Sequence, residues 1–329
     1  MRAVQIVELT GPDSALRVVD VPEPSASHML TPGSGVLVDV HAAGVSFPEL
    51  LQTRGEYQFK PELPFVPGSE VGGVVRSASE DASVSIGDRV AAFCYLGAWA
   101  EVAVAPEYFV FPLPDSLDFA QGAALVLNYH TAYFSLVTRG RLSSGETVLI
   151  HGAAGGVGTA CIQVARGLGA RTIGVVSSDA KEKVAREAGA DEVVRSDGAW
   201  KDAARELTSG RGVDVVLDPV GGDRFTDSLR SLAEGGRVVV VGFTGGSIPE
   251  VRVNRLLLNN VEVIGAGWGA YVMGKPDVTA AIGVELSKLI DAGFVAPVVG
   301  QRFGLEDAGE ALNVLDRREA LGKVVLDVA

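Results

Sequence analysis

A glycine-rich loop between an apolar run and a helix-forming segment constrains the fold of this chain more than any other feature. Residues 148–158 have the sequence Val-Leu-Ile-His-Gly-Ala-Ala-Gly-Gly-Val-Gly. The apolar run 147–151 predicts a short strand, and the period of residues 159–168 predicts a helix. A glycine turn that leads from a strand into a helix is typical of a βαβ unit and therefore of a parallel sheet.

The same alternation of strand and helix continues after the loop. We predict a first helix over 115–138, ahead of the strand at 147–151. The spacing of the later elements predicts a doubly wound parallel sheet with helices on both faces. Further strands are predicted at 172–176, 192–194, 213–217, 237–241 and 261–266, and further helices at 180–188, 200–208 and 224–232.

The first 118 residues have a different, β-rich pattern. Short alternating runs predict strands at 36–40, 71–76, 89–93 and 100–105, and a cluster of prolines between 22 and 67 excludes long helices. A predicted helix at 305–317 and a final strand at 323–328 are expected to rejoin this region. The predicted domains are therefore 1–118 together with 291–329, and 119–290.

Composition and charge limit the partners of the chain. Its 329 residues fit two domains of roughly 150 residues each. The net charge of −13 argues against nucleic acid or an anionic membrane surface as a main partner. Cys94 and Cys161 show no disulfide pattern, and neither a signal peptide nor a membrane-spanning segment is evident. We therefore expect a cytoplasmic protein.

The glycine loop and the end of the next strand together suggest a dinucleotide site. Backbone N–H groups of Gly155, Gly156, Val157 and Gly158 would surround a pyrophosphate at the start of a helix. An ordinary glycine-rich turn is the alternative interpretation.

The end of the second strand indicates which dinucleotide. An NAD site usually has a carboxylate there, whereas this chain has Ser177 and Ser178, with Lys181 three residues later. Hydroxyls and a cation suit a 2′-phosphate, so we predict NADPH rather than NADH. Asp179 argues mildly against this choice, and Lys181 could also be an ordinary solvated helix residue.

Two loops after later strands are expected to line the same cofactor site. In parallel sheets, ligands bind beyond the carboxyl ends of the strands. Core packing is the alternative role for the two aromatic residues in these loops. The predicted residues are Gly242, Phe243, Thr244, Trp268 and Gly269.

Several segments along nearly the whole chain resemble one family. The segment 151–158, followed by 163–170, resembles the zinc-free quinone oxidoreductase (zeta-crystallin-like) branch of the medium-chain dehydrogenases/reductases. Similar matches occur at 43–48, 54–57, 64–70, 87–90, 210–214 and 218–222.

The resemblance implies an α/β protein in which a GroES-like β-barrel catalytic domain is joined to a Rossmann domain. It also implies an active site in the cleft between them and NADPH-dependent hydride transfer to a small quinone or enone. Homodimers that pair through the edge strand 261–266 are common among such relatives. The resemblance places Arg318 near the NADPH phosphate, although a surface charge at a helix end is an equal alternative.

The resemblance also indicates whether the chain has a catalytic zinc site. Zinc-dependent relatives have a cysteine and a histidine where this chain has Ser46 and Ser69. A catalytic zinc usually needs three protein ligands from Cys, His and Asp or Glu. We therefore predict no metal, and we expect Glu70 to have a structural hydrogen bond.

Chemistry without metal requires donors for the oxygen on which charge develops. Tyr57, Ser46 and Thr131 are the candidate catalytic residues, with Tyr57 as the leading proton donor. Packing is the alternative role for Tyr57, and a hydrogen bond to its own helix backbone is the alternative for Thr131. An enoyl-thioester reductase and a non-catalytic NADPH-binding sensor or structural protein remain the alternative functions.

Overall fold

The computed structural model describes residues 1–80 and 82–329, which form two compact units. The first comprises Met1–Leu127, Gly274–Gly283 and Pro297–Ala329, and the second comprises Asn128–Met273 and Val284–Ala296. This division differs from the boundaries at 118 and 291 that the sequence suggests, and those boundaries stay a prediction.

The described residues of the first unit form nine strands. They are β1 (Arg2–Ile6), β2 (Leu16–Asp20), β3 (Val36–Val45), β4 (Glu70–Ser77), β5 (Arg89–Phe93), β6 (Val102–Ala105), β7 (Val110–Pro112), β14 (Val299–Gly304) and β15 (Lys323–Asp327). Seven of them form one sheet in the order β14-β15-β3-β4-β5-β7, with β6 also paired to β3. The long strand β3 is central to this sheet because β4, β6 and β15 all pair with it in antiparallel fashion. A separate two-stranded sheet joins β1 and β2.

The C-terminal residues Pro297–Ala329 belong to this unit. Val324 of β15 lies opposite Val45 of β3, and Asp327 lies opposite Ala42. Val38, Trp99 and Leu326 are buried together in the core of the unit. Its helices are α1 (Phe47–Thr53), α2 (Phe119–Gly122) and α11 (Ala308–Asp316).

The second unit contains a six-stranded sheet. Its strands are β8 (Thr147–His151), β9 (Arg171–Val176), β10 (Glu192–Arg195), β11 (Val213–Asp218), β12 (Leu232–Val240) and β13 (Glu262–Gly265). They run in the order β10-β9-β8-β11-β12-β13, with every pair of neighbours parallel. All five residues of β8 are buried, as expected for a central strand covered on both faces, and β13 lies at one edge.

Helices connect these strands. Trp200 and Phe225, each at the start of its helix, are buried in the same core cluster under the sheet. The helices are α3 (Val126–Tyr133), α4 (Gly156–Gly167), α5 (Asp179–Glu187), α6 (Trp200–Leu207), α7 (Phe225–Ser231), α8 (Asn254–Asn259), α9 (Trp268–Val272) and α10 (Pro276–Asp291).

The single helix predicted over 115–138 was wrong. The structure divides it into α2, α3 and a π-helical turn at Phe134–Arg139, separated first by residues 123–125. Gly122, the last residue of α2, lies close to β4, since a side chain there would come within 3.2 Å of the Gly72 Cα. The sequence prediction also missed α8, α9 and the 16-residue helix α10. No helix in the described ranges combines the length and hydrophobicity needed to cross a membrane.

Candidate functional site

The glycine loop joins β8 to α4 in a conformation that larger residues could not adopt. Gly152 has a φ of 60°, and its carbonyl accepts a hydrogen bond from the N–H of Gly155 at 3.0 Å. A Cβ at Gly158 would lie 2.1 Å from the oxygen of Gly152, and one at Gly156 would lie 2.7 Å from Asn128 Nδ2. Glycine is therefore required for this turn to form.

The loop also leaves the start of α4 suited to an anion. Gly155 caps the helix, which begins at Gly156 and continues through Val157 and Gly158. No side-chain acceptor caps this end, and its first turn contains no acidic residue. Free N–H groups and the positive end of the helix dipole are the features that bind a pyrophosphate.

A polar cluster lies at the carboxyl end of β9. Lys181 Nζ donates to Ser177 Oγ at 3.2 Å, and Ser178 caps α5 by accepting from the backbone N–H of Lys181 at 3.4 Å. The two serines border a surface cavity of about 420 Å³, which is lined by Ser177, Ser178, Asp179, Arg195, Ser196 and Asp197.

Arg195 is a cation of this cavity that sequence reasoning missed. It ends β10, and the parallel register places it opposite Val176, the last residue of β9. Its guanidinium donates to Glu182 Oε2 at 2.8 Å and to Asp179 Oδ1. The one signal in the sequence was the predicted strand at 192–194. If it lies beside the strand at 172–176 in a parallel sheet, the residues that follow the two strands come together, and Arg195 is one of them.

The loop after β12 is held by the loop after β11. The N–H and hydroxyl of Thr244 both donate to the carbonyl of Pro219 at 3.1 Å. A Cβ at Gly242 would lie 3.4 Å from the same oxygen, and Phe243 remains 38% exposed. This loop is therefore fixed at the carboxyl edge of the sheet, where cofactor residues are expected.

The three other predicted site residues in this unit, Trp268, Gly269 and Thr131, differ in exposure. Trp268 begins α9 and is buried, with its ring 5.7 Å from that of His130. A Cβ at the following Gly269 would meet nothing within 4 Å. Thr131 is buried within α3. Trp268 is thus packed in the core at the start of α9, and its place in the cofactor site stays a prediction.

In the first unit, Tyr57 lies half-buried after α1. Burial and the negative charge of Glu49 raise the pKa of the Tyr57 hydroxyl above its usual value. The hydroxyl therefore stays protonated at neutral pH, as a hydrogen-bond donor requires. Arg318 follows α11 with a left-handed φ of 59° and an exposed position.

Ser46 precedes α1 and belongs to a buried polar cluster. Its backbone N–H donates to Glu49 Oε2 at 2.8 Å, and its hydroxyl accepts from Lys323 Nζ at 2.5 Å. Lys323 also forms an ion pair with Glu70 Oε1 at 2.6 Å, while Glu70 Oε2 accepts from the N–H of Leu127 at 2.9 Å. Burial raises the pKa of both carboxyl groups. The expected structural hydrogen bond of Glu70 is thus present, and nothing in the sequence pattern pointed to Lys323.

These residues do not fit a catalytic zinc. Ser46 and Ser69 stand where zinc-dependent relatives have Cys and His, and hydroxyls are poor zinc ligands. The oxygens of Glu49 and Glu70 already accept hydrogen bonds or pair with Lys323. Among residues 1–80 and 82–329, no three His, Cys, Asp or Glu side chains are grouped so that they could hold a metal ion.

Comparison with known proteins places this architecture in a family. Residues 32–115 match the family model described as alcohol dehydrogenase GroES-like domain, and residues 156–283 match the one described as zinc-binding dehydrogenase. Human quinone oxidoreductase is 33% identical over 330 residues, which cover 99% of this chain and 97% of that protein. The chain belongs to the quinone oxidoreductase family.

Another member of the quinone oxidoreductase family and a solved structure support the same assignment. Rat quinone oxidoreductase-like protein 2 is 40% identical over 296 residues, which cover 89% of this chain and 85% of that protein. A mycobacterial protein solved in complex with NADPH is 35% identical, has a TM-score of 0.89 and is matched over 99% of both chains. The predicted α/β fold, with a GroES-like domain and a Rossmann-type parallel sheet, is therefore confirmed, and the chain is an oxidoreductase.

Proposed function

We propose that this chain is a cytoplasmic, homodimeric NADPH-dependent reductase that transfers hydride to a quinone or an α,β-unsaturated carbonyl compound without a metal. The observation that carries the proposal is the pairing of two features. The glycine loop leaves the start of α4 suited to an anion. Two hydroxyls and Lys181 follow the end of β9, and a second cation, Arg195, ends the neighbouring strand β10. The mycobacterial relative in complex with NADPH supports the same cofactor.

The cofactor-binding residues have distinct roles. The start of α4 would hold the pyrophosphate through Gly155, Gly156 and Val157. Lys181, with Ser177, would supply charge and hydrogen bonds to the 2′-phosphate. When bound, NADPH supplies the hydride, and the chain supplies orientation and electrostatic stabilisation.

Two hydroxyls of the first unit would serve the acceptor. Tyr57 and Ser46 are both partly exposed and remain donors at neutral pH, so each can hydrogen-bond a carbonyl oxygen on which negative charge grows. Tyr57 and Ser46 offer hydroxyls rather than the thiols or imidazoles that bind zinc. They would therefore polarise the carbonyl oxygen by hydrogen bonding and not through a metal.

Oxidation of NADPH, followed by absorbance, tests this function. The acceptors are 9,10-phenanthrenequinone, an alkenal and a crotonyl thioester, and NADH replaces NADPH as a control. Turnover of the quinone or alkenal with a preference for NADPH supports the proposal. Turnover of the thioester alone would indicate an enoyl-thioester reductase, and tight NADPH binding without any turnover would indicate a sensor or structural protein.

A further inference from the structure

The cluster around Ser46 contains a buried ammonium that the proposed reaction does not yet use. Lys323 is only 3% exposed, and the residues that surround it come from three distant parts of the chain. The first residue of β15 is brought beside the end of β3 by the antiparallel register, in which Val324 lies opposite Val45. Gly44 leaves the space, since a Cβ there would lie 2.9 Å from Glu70 Oε1.

The acceptors of this cluster are almost fully occupied. Glu70 accepts from Leu127 N–H and pairs with Lys323, while Glu49 accepts from the Ser46 N–H and the Ser69 hydroxyl. Three of the four carboxylate oxygens therefore accept a hydrogen bond, and the fourth, Glu70 Oε1, forms an ion pair with the ammonium of Lys323. Carboxylates that are satisfied in this way do not compete for a further hydroxyl proton.

Ser46 is the one member whose proton has no acceptor within the cluster. A serine hydroxyl has one proton to donate and two lone pairs with which to accept. The ammonium of Lys323 occupies a lone pair at 2.5 Å, and no described residue accepts the Ser46 proton. Because Lys323 has only donors, the Ser46 proton must point away from it. Ser46 is also partly exposed, whereas Lys323 is buried behind it.

We propose that Lys323 is a positioning residue that fixes Ser46 Oγ as an acceptor and thereby presents the Ser46 hydroxyl proton to the carbonyl oxygen of a bound acceptor. This inference rests on the proposed function. The positive charge behind the hydroxyl strengthens it as a donor, since charge-assisted hydrogen bonds polarise the group they contact. Glu70 keeps the ammonium in place and compensates its burial.

The test uses the infrared carbonyl band of 2-cyclohexen-1-one bound to the protein saturated with NADP⁺. A hydrogen bond to the carbonyl lowers the frequency of this band. The variants are Ser46→Ala, Lys323→Met, Lys323→Met/Glu70→Gln, and the combination of all three changes. The double variant removes both buried charges, so that it folds even if Lys323→Met alone leaves Glu70 unpaired and unstable.

We expect the band to move to higher frequency by a similar amount in Ser46→Ala and in the double variant, with no further shift in the triple variant. With the enone, kcat should fall about tenfold in Ser46→Ala and about tenfold in the double variant, and it should fall no further in the triple variant. The KM for NADPH should stay unchanged in all three. A matched control is Arg237→Met/Glu146→Gln, which removes another largely buried ion pair with an N–O distance of 2.6 Å. It should lower the melting temperature without moving the band.

The outcomes separate this inference from the proposed function. If Lys323 only stabilises the fold, its variants lose melting temperature but keep the wild-type band and kcat, and the inference is overturned. If the wild-type protein never turns over an acceptor but the bound ketone still shows a band that depends on Ser46 and Lys323, the reductase proposal fails and the inference stands. A wild-type protein that shows no band for bound ketone overturns the inference.

Discussion

Lys181 Nζ lies 3.2 Å from Ser177 Oγ, so that a cation and a hydroxyl converge at the carboxyl end of β9. Ser177 and Arg195 both line the surface cavity beside this strand end. We expect Lys181→Ala to weaken NADPH binding about tenfold and NADH binding little, because only NADPH has a 2′-phosphate that this cation can contact. Isothermal titration with both cofactors measures the difference.

Lys183→Ala is the matched control for this prediction, because Lys183 lies on the same helix but its side chain is 79% exposed and pairs with Glu187. It should leave both affinities unchanged. An equal loss of NADPH and NADH affinity in Lys181→Ala would show that Lys181 does not read the phosphate.

Metal analysis tests the prediction that the chain, with Ser46 and Ser69 in place of zinc ligands, binds no catalytic zinc. Hydroxyls and already satisfied carboxylates offer zinc no adequate ligands. Purified protein should therefore contain no stoichiometric zinc by elemental analysis, and incubation with a chelator should leave activity intact. One tightly bound zinc per chain would overturn this prediction.

The edge strand β13 and the nearby helix α8 indicate how two copies would pair. An unpaired strand edge is a template for another chain, and Leu257 and Leu258 are 76% and 75% exposed on α8. We predict a two-fold symmetric homodimer, and Leu257→Asp should shift it towards monomer in light scattering at micromolar concentration. Ile86→Asp, at an equally exposed apolar position of the first unit, should leave the mass unchanged. A monomeric wild-type protein would contradict the prediction.

Tyr57 should act mainly on the chemical step. Its hydroxyl is kept protonated by burial and by Glu49. Tyr57→Phe should therefore lower kcat with an enone about tenfold or more and leave NADPH affinity nearly unchanged. A quinone should depend on Tyr57 less, because its reduced oxygen is a weaker base that water can protonate. Steady-state kinetics with both acceptors decide the role: unchanged kcat with both means that Tyr57 only packs.

His151 should make the stability of the second unit depend on pH. Burial lowers the pKa of His151 to about 4, against the opposing effect of Asp218, and its Nε2 lies 2.9 Å from Ser228 Oγ. Between about pH 6.5 and pH 4 the unfolded chain binds a proton there that the folded chain does not. The free energy of unfolding should thus fall by up to about 3 kcal/mol as the pH drops through this range.

Thermal or urea unfolding at a series of pH values measures this effect. His151→Asn has no proton to gain and keeps a polar group near Ser228, so its stability should change less between pH 6.5 and pH 4 than that of the wild-type protein. An identical pH dependence in both proteins would show that His151 is not the group responsible.

Local patterns in the sequence were sufficient for the parallel sheet and for one half of the candidate site. The run Val148–Gly158 has buried apolar residues and then a turn in which a Cβ at Gly158 would lie 2.1 Å from the oxygen of Gly152, so both properties depend on residues that are close together in the chain. The same holds for Ser177, Ser178 and Lys181, which lie between the end of β9 and the first turn of α5. Strand and helix periods therefore located these elements to within a few residues.

Only the tertiary structure decided which distant residues meet. The segment predicted as one helix over 115–138 forms separate helices, and Gly122 at the end of α2 packs against β4, a contact that no helical period encodes. Arg195 reaches the cavity beside Ser177 through the register of neighbouring strands, and Lys323 reaches Ser46, 277 residues away, through the pairing of β15 with β3. A buried ammonium is stable only where the fold places groups that pair with it. Its position therefore follows from the packing of the whole unit rather than from the residues beside it in the chain.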